Sequence, residues 1–472
     1  METQQIDLTL TLIGLFFLAS LIELIRERRA SRRFCRGSAV AFGVLGLGVA
    51  MAQSMAARVH MGGFSIVPPS AVTGGYSQQL LFEGRHLATV VSILIFLGGV
   101  LFAPSKPLVR VHLSRVFFLQ GLLVVLIQSQ SMVVFLATAV LLFSFFIISM
   151  RYYVSSLPED DRGALRSSSF SVYHAVTITL LLAALILRGL SAVDVLPVTA
   201  ALQTLDLVLL SLGAAVAVGL FPFHGWVIPF LGAPRSTVFL PMMCIQAGML
   251  LFFRLYMPIV AEYQSEHLPF LVIPVLGLVY AALLFFGERR LKRIPGYLYI
   301  SHVCLMAVCV TGLGHLGTTV SLLDGVNVAI AVLGLMGVCS LLTSRFGVRG
   351  VLSPTGLGHL FPELAVCYLI CVLSLVGFPG TLGFIEEEVM LGQGVEHHHG
   401  MVGIIAIALT LNGFSSFRLF ARIFYGQPFE GRDVETRLTL RERSVILVVL
   451  AALVVNGLAP SLLVDTLTDL AS

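Results

Sequence analysis

The sequence predicts an all-α polytopic membrane protein of about fourteen transmembrane helices, two of them broken. Composition, long apolar runs and proline-glycine interruptions inside two of those runs predict it. Of 472 residues, 57% are apolar and only 11% charged, whereas about a quarter of a soluble chain is charged. Mean hydropathy is +0.97, and there are 33 phenylalanines but only two lysines, Lys106 and Lys292. This composition excludes a soluble enzyme, a nucleic-acid binder and a disordered chain.

A helix needs about 20 apolar residues to cross the hydrocarbon core. Runs of this kind begin near residues 7, 38, 87, 107, 132, 170, 199, 236, 268, 296, 318, 362, 401 and 443. Lipid offers backbone groups no partner, so each run is expected to be a helix. Arginines set the orientation. Six fall in the loop 26–36, and further basic residues lie at Lys106, Arg110, Arg151, Arg162, Arg166, 288–293, Arg345, Arg349, Arg432, Arg437, Arg441 and Arg443. The intervening loops are neutral or acidic, with Glu262 and Glu266 in one and Glu396 in another. Positive loops stay cytoplasmic, so an even span count places both termini on the non-cytoplasmic side.

The remaining stretches define little else. Residues 58–86, with Pro68, Pro69, Gly74 and Gly75, read as an outer loop, and no soluble domain is expected. Six of the seven cysteines sit in apolar runs and there is no CxxC, so buried thiols are expected rather than disulfides or zinc ligands. The N-terminus lacks a basic start and a small-residue cleavage site, so the first run reads as the first span. His397, His398 and His399 are adjacent and point different ways; no metal site and no cofactor are expected.

Ionisable side chains at membrane depth are functional candidates by default. Asp206 lies in the seventh run, and His224 stands in FPFHGW just after it. Gln246 and Arg254 lie eight residues apart on the eighth. Lys292 opens the tenth and His302 follows along it; Asp324 and Asn327 are in the eleventh. Glu386, Glu387 and Glu388 follow the Pro379-Gly380 break, and Asn412 and Arg418 occupy the thirteenth run. Arg254, Lys292 and Arg418 have the plainer reading of snorkelling near helix ends, His302 that of a core histidine bonded to a carbonyl, and the glutamates that of outer-loop residues. Two breaks are more specific: FPFHGWVIPFLGAPRS at 221–236 and GFPGTLGF at 377–384. Interrupted helices in both halves of a chain are the pattern of a transporter with internal repeats.

These residues resemble the antiporter-like membrane subunits shared by respiratory complex I and multi-subunit sodium/proton antiporters. That family's stretch FPFHxWLP…AP.P.SA…KxGxYxLxR is similar to residues 221–256 here, and its LKR.LAYSS.SH to LKRIPGYLYISH at 291–302. GFPGTLGFIEEEVML and LNGFSSFRLFARIFYG, within 377–426, are a third match. The resemblance implies an inverted-repeat antiporter-like fold with a core at 107–426, preceded by spans in 1–106 and followed by a cytoplasmic loop and last span in 427–472. GFPGTLGF with its glutamates and the LNG at 411–413 look most like the membrane subunit of two-component inorganic-carbon pumps of the DAB type. That likeness implies proton flow in a bacterial inner membrane, coupled to a large cytoplasmic zinc-binding, carbonic-anhydrase-like partner, with no enzymatic activity in this chain.

The sequence departs from the family where charge is expected. The fifth-span glutamate aligns with Val140, the lysine before FPFH with Ala217, the broken-helix lysine with Gln246, the eleventh-span lysine or histidine with Val332, and the histidine after the APTPVSA segment with Met242. APTPVSA itself has become Ala233-Pro234-Arg235-Ser236-Thr237. The expected proton path is therefore Lys292, His302 and Glu387, joined by Asp206, with His224 shaping the broken helix and Gln246 a neutral member. Three functions stay open: a proton-conducting subunit of a carbon-uptake complex, an antiporter-like subunit of a redox-driven pump, and a non-conducting membrane anchor.

Overall fold

The computed structural model describes residues 2–27, 41–46, 48–50, 85–102, 113–129, 131–156, 170–192, 200–232, 238–262, 268–346, 356–397, 399–427 and 438–458. The outer loop 58–84, the arginine loops at 28–36, 103–112, 157–169, 347–350 and 428–437, the segment 233–237 and His398 lie outside them.

All regular structure among the described residues is helical. In chain order the helices are α1 (Glu2–Glu27), α2 (Arg85–Phe102), α3 (Leu113–Gln128), α4 (Met132–Ser156), α5 (Phe170–Ala192), α6 (Ala200–Val218), α7 (Val227–Leu231), α8 (Phe239–Leu251) and α9 (Met257–Glu262). There follow α10 (Leu268–Gly287), α11 (Ile294–Phe346), α12 (Leu357–Leu360), α13 (Pro362–Leu375), α14 (Leu382–His397), α15 (His399–Phe424) and α16 (Leu440–Leu458). Among the described residues eight segments are long and apolar enough to cross a membrane, and five shorter apolar helices lie at five further predicted runs. Helix α16 corresponds to the last run; Arg441, Glu442 and Arg443 charge its first turn. That turn is a reciprocal cap. The Thr439 N–H donates to Glu442 Oε2 at 2.8 Å, and the Glu442 N–H faces Thr439 Oγ1 at 3.4 Å. Arg443 pairs with Glu363 at 3.1 Å, tying this end to the start of α13.

Helix α11 cannot be one straight rod. Its 53 residues would stretch to about 80 Å, yet Ser321 Oγ donates to the Met306 carbonyl at 3.0 Å. Fifteen residues of straight helix separate two groups by about 22 Å. The element is therefore a hairpin of two antiparallel spans, Leu291–Leu313 and Leu316–Ser344. Both arms are almost wholly buried, which places this hairpin at the centre of the molecule. Around it pack α2, α8, α10, α13, α14 and α16.

Both predicted breaks are present. Helix α6 ends at Val218, and the chain passes through Gly219-Leu220-Phe221-Pro222, with a cis Phe221-Pro222 bond, into a short turn at His224–Trp226 and then α7. Helix α13 ends at Leu375, and Val376-Gly377-Phe378-Pro379-Gly380 leads into α14. The two breaks share a Val-Gly start and a Phe-Pro step, and a positive-φ glycine opens each: Gly219 at 78° and Gly377 at 68°.

A polar junction where the second broken helix meets the central hairpin

A broken helix leaves its last carbonyls without intrahelical partners, and in lipid those groups must be satisfied by protein. The first arm of α11 does this at both breaks. Tyr299 donates its hydroxyl to the Val218 carbonyl at 3.0 Å, and one turn further on His302 Nε2 lies 2.8 Å from the Leu375 carbonyl oxygen. Two further carbonyls are met by side chains: Val216 by the Trp226 indole at 3.2 Å and Ser374 by the Asn327 amide at 3.0 Å.

The surroundings of the two breaks differ sharply. At the first they are apolar and aromatic. Ala217 is fully buried. The His224 ring stacks on Phe221 and lies against Tyr280 at 5.0 Å, with Nδ1 buried and without a hydrogen-bond partner among the described residues. Close by, His174 is enclosed by Phe143, Phe170 and Trp226, with Nδ1 facing the Phe170 carbonyl at 3.1 Å and Nε2 facing Cys244 Sγ at 3.2 Å. A carbonyl only accepts, so Nδ1 carries the hydrogen and Nε2 accepts from the thiol; this histidine is neutral and fully engaged. Gln246 has neither amide atom hydrogen-bonded within the described residues.

At the second break the polar groups converge. His302 Nδ1 lies 3.0 and 3.1 Å from the two Asp324 oxygens, and both side chains are 4% exposed. Along a straight helix these residues would be about 33 Å apart; the hairpin brings them together. Ser374 Oγ donates to Asn327 Oδ1 at 2.5 Å. Asn412 of α15 donates to Ser301, the neighbour of His302, at 3.1 Å. The Glu387 carboxylate packs against Gly377 at the break and interacts electrostatically with His302 and Asp324. Its Oε1 is buried without a partner among the described residues.

Of the residues expected on the proton path, the structure thus brings His302 and Glu387 within electrostatic reach of each other, with Asp324 hydrogen-bonded to His302. The others lie elsewhere. Lys292 is ten residues before His302, about 15 Å along the helix, and its backbone packs against Gly232 after α7. Asp206 is held by Arg188 of α5, with Nη2 2.7 Å from Oδ2, a lateral bond between neighbouring helices. His224 stands in the first break, and Gln246 lies on α8, two residues before Gly248, which packs against the Ala217 carbonyl. Arg254 donates to the Ser129 carbonyl and lies over the Phe135 ring at 4.4 Å, and Arg418 donates to the Phe286 carbonyl over that residue's ring. Both arginines cross-link elements. His174 was missed as a candidate although it is an ionisable residue inside the sixth apolar run, the same signal that marked His302.

Glu288, in the turn between α10 and α11, has a separate role. Burial pushes its carboxyl up, but the N–H groups of Arg290 and Arg289 and the guanidinium of Arg293 outweigh this and hold it below the usual carboxylate range. A carboxylate with a depressed folded-state value stabilises fully above its unfolded value of about 4.3 and loses that contribution as pH falls through the folded value. Glu288→Gln is therefore expected to lower stability at neutral pH, with the difference from the unmodified chain shrinking as pH falls through the carboxylate range, so that the acid limb flattens. Thermal unfolding across an acid pH series checks this.

Comparison with known proteins fits this geometry. Residues 129–413, more than half of the chain, match the family model described as NADH:quinone oxidoreductase/Mrp antiporter, TM. The chain belongs to this family of antiporter-like membrane subunits. It is 27% identical over 266 residues to NADH-quinone oxidoreductase subunit N of Halorhodospira halophila (strain DSM 244 / SL1), covering 54% of this chain and 55% of that one. Subunit M of the same enzyme from Mycobacterium tuberculosis is 23% identical over 254 residues, 53% of this chain and 46% of that one. The matches span about half the length of these curated relatives. Among solved structures, a chain of the Mrp complex from Dietzia sp. DQ12-45-1b superposes with TM-score 0.80 at 16% identity, covering 99% of this chain and 97% of that one. A chain of respiratory complex I from Thermus thermophilus gives 0.75 at 20% identity, with 98% of each chain covered. At these identities the likeness is one of fold.

Proposed function

We propose that this chain is a proton-conducting membrane subunit of a multi-subunit, energy-coupled complex, with its proton site at the second broken helix. The observation that carries this reading is the buried His302–Asp324 pair on the Leu375 carbonyl, with Glu387 beside it. Charges that are expensive to bury in a membrane are kept where they serve ion movement. The first half, with Ala217, Val140 and neutral Gln246 where relatives of the complex I type carry charge, takes no direct part in proton transfer.

The finer proposal is that the complex takes up inorganic carbon. The chain works with a large cytoplasmic zinc-binding, carbonic-anhydrase-like subunit, and hydration of carbon dioxide belongs to that partner. GFPGTLGF at 377–384 and Leu411-Asn412-Gly413 support this, as do the charges missing from the first half. The membrane is the bacterial inner membrane, with both termini on its non-cytoplasmic side. The named relatives favour a second reading, a subunit of a redox-driven pump of the complex I type.

Tagging the segment between α15 and α16, extracting in mild detergent and identifying copurifying proteins separates these readings. The carbon-uptake reading expects a large soluble zinc protein. Iron–sulfur or quinone-reductase subunits would replace it with the redox reading. Proteoliposomes of the complex that hold a pH gradient as well as empty ones would reduce the chain to a membrane anchor.

A further inference from the structure

Both ring nitrogens of His302 are committed. The Leu375 carbonyl can only accept, so Nε2 carries a hydrogen. Nδ1 faces a carboxylate at 3.0 and 3.1 Å. A bare Nδ1 there would set lone pair against lone pair, both buried and without a hydrogen between them. Near-equal distances to both oxygens suit one N–H shared by an ionised carboxylate; a protonated carboxyl would present a single hydroxyl. In this arrangement His302 is an imidazolium and Asp324 its counter-charge.

We infer that His302 is a fixed positive charge rather than a proton carrier, and that Glu387 alone changes protonation during transport. This rests on the proton-conducting reading above. Among the described residues Glu387 Oε1 and Asn412 Oδ1 are the buried oxygens of this cluster without a hydrogen-bond partner, and of the two only the carboxylate can take up a proton. The Leu375 and Ser374 carbonyls are capped by N–H donors, and Asn327 Oδ1 accepts from Ser374. A bare cation such as sodium gathers several oxygens at once, and the Ser374 and Leu375 carbonyls at the end of α13 each already accept a hydrogen bond. A proton needs one acceptor. The Glu387 carboxylate takes a proton from water on one side, becomes a neutral carboxyl, and returns that proton to water on the other. His302 and Asp324 end each cycle as they began. The charged groups facing Glu387 are these two, both from α11; α13, α15 and α16 also pack on α14 and send it none among the described residues.

Under this inference His302 is a positioning residue, holding the end of α13 and the two arms of α11 in register beside Glu387. The full chain with its copurifying partners, labelled with ring-15N histidine and carbonyl-13C leucine in proteoliposomes, tests it by solid-state NMR across the pH range of transport. Nitrogen–carbon recoupling selects the ring bonded to a leucine carbonyl, which is His302 on Leu375. Both ring nitrogens are expected to stay protonated throughout. A ring that loses a proton in step with transport overturns the inference. In parallel, Glu387→Gln is expected to lower proton flux by about a hundredfold or more. If that loss appears while His302 titrates, the inference fails and the proton-conducting reading stands. If Glu387→Gln conducts like the unmodified chain, the reading itself fails. The spectroscopic arm uses the unmodified chain and so needs no variant to fold.

Discussion

Asp324→Ala is expected to destabilise the folded chain by about 3–5 kcal/mol, the range for removing one partner of a buried ion pair. The pair lies between the antiparallel arms of α11, and each side chain is 4% exposed. Truncation leaves the His302 imidazolium in an apolar interior without its counter-charge. His302 must then lose a proton or draw in water, and its bond to Leu375 at the end of α13 is disturbed. Asp324→Asn keeps an oxygen for the Nδ1 hydrogen and loses only the charge, so its effect is expected to be the smaller. Thermal midpoints of detergent-purified variants measure this. Equal midpoints for Asp324→Ala and the unmodified chain would mean that the pair does not hold the hairpin together.

Gly377→Ala is the second large effect, and it has a control nearby. Gly377 has φ 68° and Gly380 φ 90°, so alanine is strained at both by roughly 1–2 kcal/mol. The positions differ in what a Cβ would meet. At Gly380 nothing lies within 4 Å, whereas at Gly377 the new methyl would collide with the Glu387 carboxylate. Both variants are expected to lose some stability, but only Gly377→Ala is expected to lose proton flux, because it displaces the titrating group. Loss of flux in both would show that the strain of the break matters rather than the seat of Glu387. Full flux in Gly377→Ala would separate Glu387 from the break.

The fold was legible because lipid leaves a chain few options. Long apolar runs must be helices, and the Pro-Gly steps at 221–226 and 377–384 mark where two of them are interrupted. Part of the site was legible for the same reason: His302 and Asp324 stand out as ionisable residues among apolar neighbours, and Glu387 follows the Pro379-Gly380 break. Their pairing was not legible. The hydrogen bond from His302 ends on the carbonyl of a leucine, an atom every residue has, and Asp324 is 22 residues away on the next span, where nothing in the sequence sets the register between the two. Lys292 shares a helix with His302, and sequence proximity suggested a relay that the helical rise separates by about 15 Å. Asp206 looked like a buried carrier because Arg188, on the preceding span, is not its neighbour in sequence; two antiparallel spans joined by a short loop bring them together. The sealed surroundings of the first break depend on His174 meeting Cys244 and Trp226, contacts between three separate elements.

The central claim is that proton conduction runs through the second half of the molecule and not the first. Its most direct test compares two variants of the full complex in proteoliposomes under an imposed membrane potential, with proton uptake followed by an internal pH dye. Glu387→Gln, at the second break, is expected to abolish uptake. Gln246→Leu, which replaces an amide of α8 that has no hydrogen-bond partner among the described residues, is expected to conduct like the unmodified chain and to be no less stable. Uptake that survives Glu387→Gln and is lost in Gln246→Leu would contradict the account and move the path to the first half.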